Sequence, residues 1–177
     1  VKNLFKRTKI SEQVFSDLTF FTKYQIITDE RPDNVAFKVY GDSNLDWMVL
    51  LANNIINVQQ EWPLEHTSYY NYLINKYGSD AALQNVHHYE TREIKNSVGK
   101  IIVPEGLEVA SDFSITFFDT GLGVQQTIST EIVTEITNEV YENRINDGKR
   151  NINIIKPRFI GLVIEEIEKA MKYPKGS

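Results

Sequence analysis

The spacing of apolar residues changes near Tyr89, and this change constrains the fold more than any other feature of the chain. Between Pro32 and Tyr89, apolar side chains recur every three or four residues, which is typical of helices that bury one face. After it, β-branched and aromatic residues alternate in short runs between glycine and proline turns. Helices followed by strands predict an α+β fold and argue against the regular strand–helix alternation of a parallel-sheet enzyme.

Helices are predicted where this spacing coincides with residues that start and stop helices. Pro32 can open a first helical turn, and Gly41 can end that helix. Thr67 or Ser68 can cap a helix that ends at Gly78. The predicted helices span 32–41, 45–55, 67–78 and 157–172, with a further short turn at 81–86.

Strands are predicted at 24–28, 100–103, 112–118, 124–136 and 151–155. The glycine-containing turn at 121–123 lies between two of these runs and predicts a hairpin. Residues 138–147 fit either a short acidic helix or an alternating strand, because the apolar residues nearby satisfy both periods.

The net charge of −5 argues against a protein that neutralises nucleic-acid phosphates. The chain has no cysteine, so disulfides and thiolate metal sites are excluded. No run approaches the roughly 18 apolar residues of a membrane span, and the start lacks a signal-peptide core. The first ten residues instead carry four basic side chains and no acid. They form either a solvated basic end or an arm that docks on an acidic partner.

The search for catalytic groups yields little. The three histidines are His66, His87 and His88, and adjacent histidines on a strand are expected to point to opposite faces, which disfavours a shared metal ion. We therefore expect no metal, no cofactor and no catalytic residue. Four glutamates recur at helical spacing, which favours a solvated face over a catalytic pair, with a face that meets a basic partner as the other alternative. They are Glu131, Glu135, Glu139 and Glu142.

Aromatic residues make up 11% of the chain and point to contacts with other proteins. Tyr69, Tyr70 and Tyr72 cannot all face one core from one helix, and tyrosine and tryptophan are favoured anchors at protein interfaces. The residues expected at a partner interface are Tyr69, Tyr70, Tyr72, Trp62, Phe5, Phe15 and Phe159.

Residues 24–55 resemble a LysM module. The aromatic-led run at 24–27 is followed by a helix with Ala36, Tyr40 and Gly41 at the family's positions, and then by a helix that ends in Ala52-Asn53. The resemblance implies two helices that close over a small sheet. Residues 30–33 replace the Gly-Asp-Thr-Leu turn of the family's glycan-binding groove, so the resemblance does not carry sugar binding with it.

Segments such as 40–42, 62–64 and 87–90, in this order and spacing, resemble the baseplate wedge protein 53 family of T-even-type contractile-tailed phages, and the resemblance extends over most of the chain. The resemblance implies a structural subunit that clips adjacent baseplate wedges together and contacts the wedge core bundle and the sheath-initiating protein. It implies a virion protein of the tail baseplate that is assembled in the host cytoplasm, without catalytic residues. The segments that carry it are 40–42, 47–53, 62–64, 76–78, 87–90, 149–152 and 155–157.

The expected organisation is an extended arm (1–23), a LysM-like module (24–66), a helical connector (67–90) and a β-rich region with a C-terminal helix (91–177). A peptidoglycan-binding LysM protein is the alternative function. It requires an open groove between 30–33 and 56–58, whereas a cell-wall hydrolase would require a catalytic pair in 90–177 that the sequence does not show.

Overall fold

The computed structural model describes residues 20–172 and confirms the α+β class. The chain forms two compact units. The first combines the described residues up to Tyr69 with those from Asn146 onward, and the second is Tyr70–Ile145. This division differs from the linear one expected from the sequence, because the strand that pairs with the first strand lies near the other end of the chain.

The helices are α1 Pro32–Tyr40, α2 Asp46–Ala52, α3 Val58–Glu61, α4 His66–Tyr77, α5 Asp80–Leu83, α6 Asn138–Gly148 and α7 Ile160–Ala170, with 3-10 turns at Ser43–Leu45 and Pro157–Phe159. None of these helices is long and apolar enough to cross a membrane, over the range that the structure describes.

The strands are β1 Phe21–Gln25, β2 Val86–Thr91, β3 Ile94–Lys95, β4 Ile101–Val103, β5 Glu108–Val109, β6 Ile115–Asp119, β7 Val124–Ile128, β8 Val133–Thr137 and β9 Asn151–Ile155. Among the described residues, all strand pairings are antiparallel, and they form four small sheets, β1–β9, β5–β2–β8, β3–β4 and β6–β7.

The core of the first unit lies between the β1–β9 sheet and the helices α1 and α2. Val35 and Ala36 of α1 and Val49 of α2 are fully buried against Ile152 and Ile154 of β9. Pro32 opens α1, and Gly41 ends it in a left-handed conformation (φ 77°) that strains any residue with a Cβ. The predicted helix at 32–41 is therefore confirmed. The helix predicted at 45–55 is present but ends at Ala52, because Asn54 adopts a positive φ of 55°.

Asn53 ties the end of α2 to β9. Its side-chain amide donates to the backbone oxygens of Val49 (2.8 Å) and Asn153 (2.9 Å), and its side-chain oxygen accepts from the backbone nitrogen of Asn153 (2.7 Å). The side chain thus pairs with the backbone of Asn153 as a neighbouring strand would, and satisfies polar groups that would otherwise stay unpaired.

Helix α7 completes the first unit by packing its apolar face against α2 and β9. Val163 is buried with Met48 and Ala52 of α2 and with Ile155 of β9. The predicted closing helix is confirmed, although its first three residues form a 3-10 turn that starts at Pro157.

The second unit has its core around Ile94, Val103 and Ile132. The predicted hairpin is confirmed as β6–β7, and its tip is fixed by the buried carboxylate of Asp119. This carboxylate accepts hydrogen bonds from the backbone nitrogens of Ser97 (2.9 Å) and Gly121 (2.9 Å). The Ser97 hydroxyl and these backbone groups hold the pKa of Asp119 below its usual range.

Two local predictions need correction, and one open alternative is decided. The expected strand over 124–136 is two strands, because the chain turns between them and Glu131 adopts a positive φ of 58°. Helix α4 begins at His66, since the Glu65 carboxylate accepts from the backbone nitrogens of Thr67 (3.1 Å) and Ser68 (2.8 Å) in place of a hydroxyl cap. Of the two alternatives for 138–147, the structure has the helix.

Candidate functional site

Two tyrosines of α4 expose their rings in the second unit. Tyr70 is 46% exposed and Tyr72 is 40% exposed. The hydroxyl of Tyr70 donates to Asp80 Oδ1 (3.0 Å), and this hydrogen bond raises the pKa of the Tyr70 hydroxyl. Polar contacts position both rings, which remain partly exposed, whereas Tyr69 on the same helix is half-buried.

The carboxylate of Glu142 on α6 is buried and anchors α4. It accepts hydrogen bonds from Lys76 Nζ (2.5 Å), from the hydroxyl of Tyr77 (2.9 Å) and from that of Tyr72 (3.3 Å). Burial raises the pKa of Glu142, but the hydrogen bonds from Lys76 and Tyr77 outweigh it and hold the pKa below its usual range. In turn, the hydrogen bond to Glu142 raises the pKa of Lys76. The expectation of a solvated row of four glutamates is therefore wrong, since Glu142 is 2% exposed and Glu135 lies on β8.

The rings of His87 and His88 lie together, contrary to the expectation that they point to opposite faces. A register shift between Val86 and His88 breaks the strand alternation, and the two Nδ1 atoms are 2.8 Å apart. His88 Nε2 lies 3.0 Å from Glu90 Oε1, and Arg144 forms an ion pair with the same oxygen (2.5 Å). Over residues 20–172, no group of three or more histidine, aspartate or glutamate side chains is arranged so that it could hold a metal ion.

The remaining predicted interface residues fall into three groups. Trp62 is only 5% exposed, and its indole nitrogen donates to the backbone oxygen of Glu30 (2.8 Å), so it serves the core of the first unit. Phe159 is half-buried, stacked on Phe20 at 4.2 Å between ring centroids. Phe5 and Phe15 lie outside the described residues.

A cleft of about 510 Å³ opens in the first unit between the segment that follows β1 and the segment around α3. Its lining combines apolar side chains such as Leu50 and Val58 with several carboxylates. Glu30 and Glu65 are among the lining carboxylates that already have partners. Glu30 is paired with Lys38 and accepts from the hydroxyl of Tyr24 (2.9 Å), and Glu65 caps α4.

Several exposed apolar residues were not singled out from the sequence. Ile27 is 83% exposed and Phe37 is 63% exposed in the first unit, and Phe118 is 60% exposed in the second. The sequence did indicate that Phe37 is exposed, because helical spacing places Phe37 away from the buried face formed by Val35 and Ala36. Single exposed apolar side chains are normal on a protein surface, so these three residues do not by themselves mark an interface.

Comparison with known proteins places the chain in a family. No individually curated protein matches it. The model of the family described as base plate wedge protein 53 matches residues 1–168, which is nearly the whole chain. Such proteins are structural components of the phage virion, located in the tail baseplate and assembled with other baseplate components. The chain therefore belongs to the baseplate wedge protein 53 family.

Proposed function

We propose that the chain is a connector that joins adjacent wedges of a contractile-tail baseplate. The observation that carries this proposal is the exposure of Tyr70 and Tyr72 in a chain of the baseplate wedge family. Rigid, amphipathic tyrosine rings lose little conformational freedom on binding, which suits them to anchor a second chain. The proposed partners are the wedge core bundle, the sheath-initiating protein and the neighbouring wedge.

The arrangement of helices and strands in the first unit supports a LysM-like module. Along the chain, β1 is followed by α1 and α2, and the two helices close over the two-stranded β1–β9 sheet. We propose that the LysM-like module consists of these elements, with the second unit inserted before β9.

The proposal also holds that the chain catalyses no reaction. A general acid near neutral pH needs a carboxyl whose pKa is raised by burial. The carboxyl pKa shifts at Glu65, Glu90, Asp119 and Glu142 are all downward, because each of these groups accepts hydrogen bonds in its charged form. These carboxylates therefore suit structural roles and do not suit proton transfer.

The test is to reconstitute wedges from the other purified wedge subunits of the same phage, with and without the full chain. Sedimentation separates single wedges from joined wedges. We expect single wedges without the chain and joined wedges with it. Wedges that join equally well in its absence would refute the connector function.

Peptidoglycan binding is the second candidate, and the cleft in the first unit is the observation that favours it. The cleft is lined by 29–33 and by Val58 and Gln59, close to where the LysM resemblance places a groove. Against it, Trp62 in the cleft wall shows only 5% of its surface, so its ring offers little area on which a sugar could stack. A pulldown of the pure chain on purified cell wall distinguishes the two functions. We expect the chain to stay unbound in the supernatant.

A further inference from the structure

The β6–β7 hairpin of the second unit has sheet edges that no other strand covers. Over residues 20–172, β6 and β7 pair only with each other, in the register Ile115↔Ile128 to Asp119↔Val124. A two-stranded sheet leaves every second backbone N–H and C=O of each strand pointing away from its partner. These groups are donors and acceptors that an added strand can pair with.

Strand β7 has the more accessible edge. At the end of β6, Asp119 is buried and bonded to the turn around Ser97, and a Cβ on Gly121 would lie 2.2 Å from the Ser97 hydroxyl. This turn therefore crowds the end of β6. On β7, by contrast, Val124 is 50% exposed, and Gln125 and Thr127 are exposed as well.

The chemistry of β7 lacks the features that protect exposed edges. Native edge strands are usually guarded by lysine, proline, a bulge or an inward-pointing charge. Residues 124–130 read Val-Gln-Gln-Thr-Ile-Ser-Thr, without a charge, proline or glycine, and the pairing of β7 with β6 has no bulge. The outer face of the hairpin is also uncharged, since Thr116 and Phe118 lie across from Thr127 and Gln125. An uncharged, β-prone edge of this kind is suited to strand pairing.

We propose that β7 accepts an extended, uncharged segment of another baseplate subunit along its free edge, which turns the hairpin into a three-stranded sheet. The segment would be about five residues long, to match β7. Its side chains alternate, with apolar residues beside Val124 and Ile128 and small polar residues beside Gln125 and Thr127. A charged segment is disfavoured because the edge offers no opposite charge.

A different subunit fits this edge better than a second copy of the chain. Two copies of β7 could pair about Gln126, with Val124 opposite Ile128, but that contact is isologous and closes after two copies. A member of this family assembles with other baseplate components, and a closed pair of copies would leave this edge unavailable to them. This surface is separate from the exposed tyrosines of α4, so its test can fail while the proposed connector function stands.

The test measures amide hydrogen exchange in the full chain, first alone and then in wedges assembled from the other purified wedge subunits of the same phage. We expect alternate amides of Val124–Ile128 to exchange about 100-fold more slowly in the wedge, since a new strand gives them partners. Amides of Ile115–Asp119 should change little. Unchanged exchange over β7 in a complete wedge would overturn the proposal, and so would a dimer of the pure chain in which β7 is protected.

A matched pair of variants locates the contact. The double change Gln125→Lys and Thr127→Lys puts two charges on β7 and should weaken binding of the protecting subunit by about tenfold or more. Thr116→Lys is the control, because Thr116 lies directly across from Thr127 on the same face, and its hydroxyl oxygen is 2.8 Å from that of Thr127. Equal weakening by the control would overturn the assignment to β7. Circular dichroism checks that all variants fold, and the exchange measurement on the natural chain does not depend on them.

Discussion

Replacing Glu142 with glutamine tests whether the buried carboxylate holds α4 and α6 together. The amide keeps the shape of the side chain and can still accept from Tyr77, but it loses the charge. A hydrogen bond to a charged acceptor contributes about 1.5–3 kcal/mol, roughly twice the neutral value, so the bond from Tyr77 should lose about 1 kcal/mol. Lys76 is 44% exposed, which screens the ion pair and limits its contribution to about 0.5–1 kcal/mol. The bond from Tyr72 is long at 3.3 Å and adds little.

We therefore expect Glu142→Gln to lower the free energy of unfolding by about 1.5–2 kcal/mol, which is roughly 1 M in the urea midpoint for a protein of this size. Far-UV circular dichroism against urea at pH 7 measures it. The control is Glu139→Gln, one turn earlier on α6, where the carboxylate accepts a surface hydrogen bond from Gln84 (2.7 Å) and should contribute a few tenths of a kcal/mol. Equal midpoints for the two variants would refute the reasoning.

The pH dependence gives a second check on the same residue. The pKa of Glu142 is lower in the folded chain than its ordinary value of 4.5. Its stabilising contribution is therefore fully present above about pH 4.5 and is lost as the pH falls through the folded-state pKa. Glu142→Gln cannot titrate there. The stability gap between the natural chain and the variant should accordingly narrow from pH 7 to pH 3, and a gap that stays constant would contradict this origin of the effect.

Three further changes have defined outcomes. Gly121→Ala should lower the melting temperature, because its Cβ would lie 2.2 Å from a hydroxyl oxygen and overpacking costs about 1–3 kcal/mol, whereas Gly148→Ala has open space and should be neutral or better. Asn53→Ala should cost about 1.5–3 kcal/mol and speed amide exchange at Asn153, since it leaves polar groups of α2 and β9 unpaired. Tyr70→Ala should impair wedge joining in the sedimentation assay while Tyr70→Phe, which keeps the ring, does not.

The local elements were predictable where the sequence contains their start and stop signals. Pro32 begins α1 because it lacks a backbone N–H, which the first turn of a helix would leave unpaired. Gly41 ends α1 because it adopts a positive φ. The choice of helix over strand for α6 could not be made locally, since both periods fit. The helix places Glu142 beside the Lys76 and Tyr77 side chains of α4, which stabilise its buried carboxylate, and these distant contacts cannot be seen in the local sequence.

The candidate surfaces were predictable only in part. The exposure of Tyr70 and Tyr72 follows from the crowding of aromatic residues on one helix. The side-by-side histidines do not follow from the sequence, because a bulge changes which face of a strand a residue occupies and leaves no mark in the sequence of β2. The pairing of β1 with β9 was equally hidden, since strand pairing between distant segments depends on the whole fold.

The pairing of the first strand with the last also sets an order of events during synthesis. The ribosome releases β1 early, yet its partner at Asn151–Ile155 emerges only after all of Tyr70–Ile145 has been made. If the second unit folds while the chain is still growing, it shortens the flexible loop between β1 and β9. The chain then loses less conformational entropy when these two strands pair. A ribosome that stops before Asn151 would release a product whose N-terminal half carries a bare strand, which is a ready substrate for aggregation and for cellular proteases.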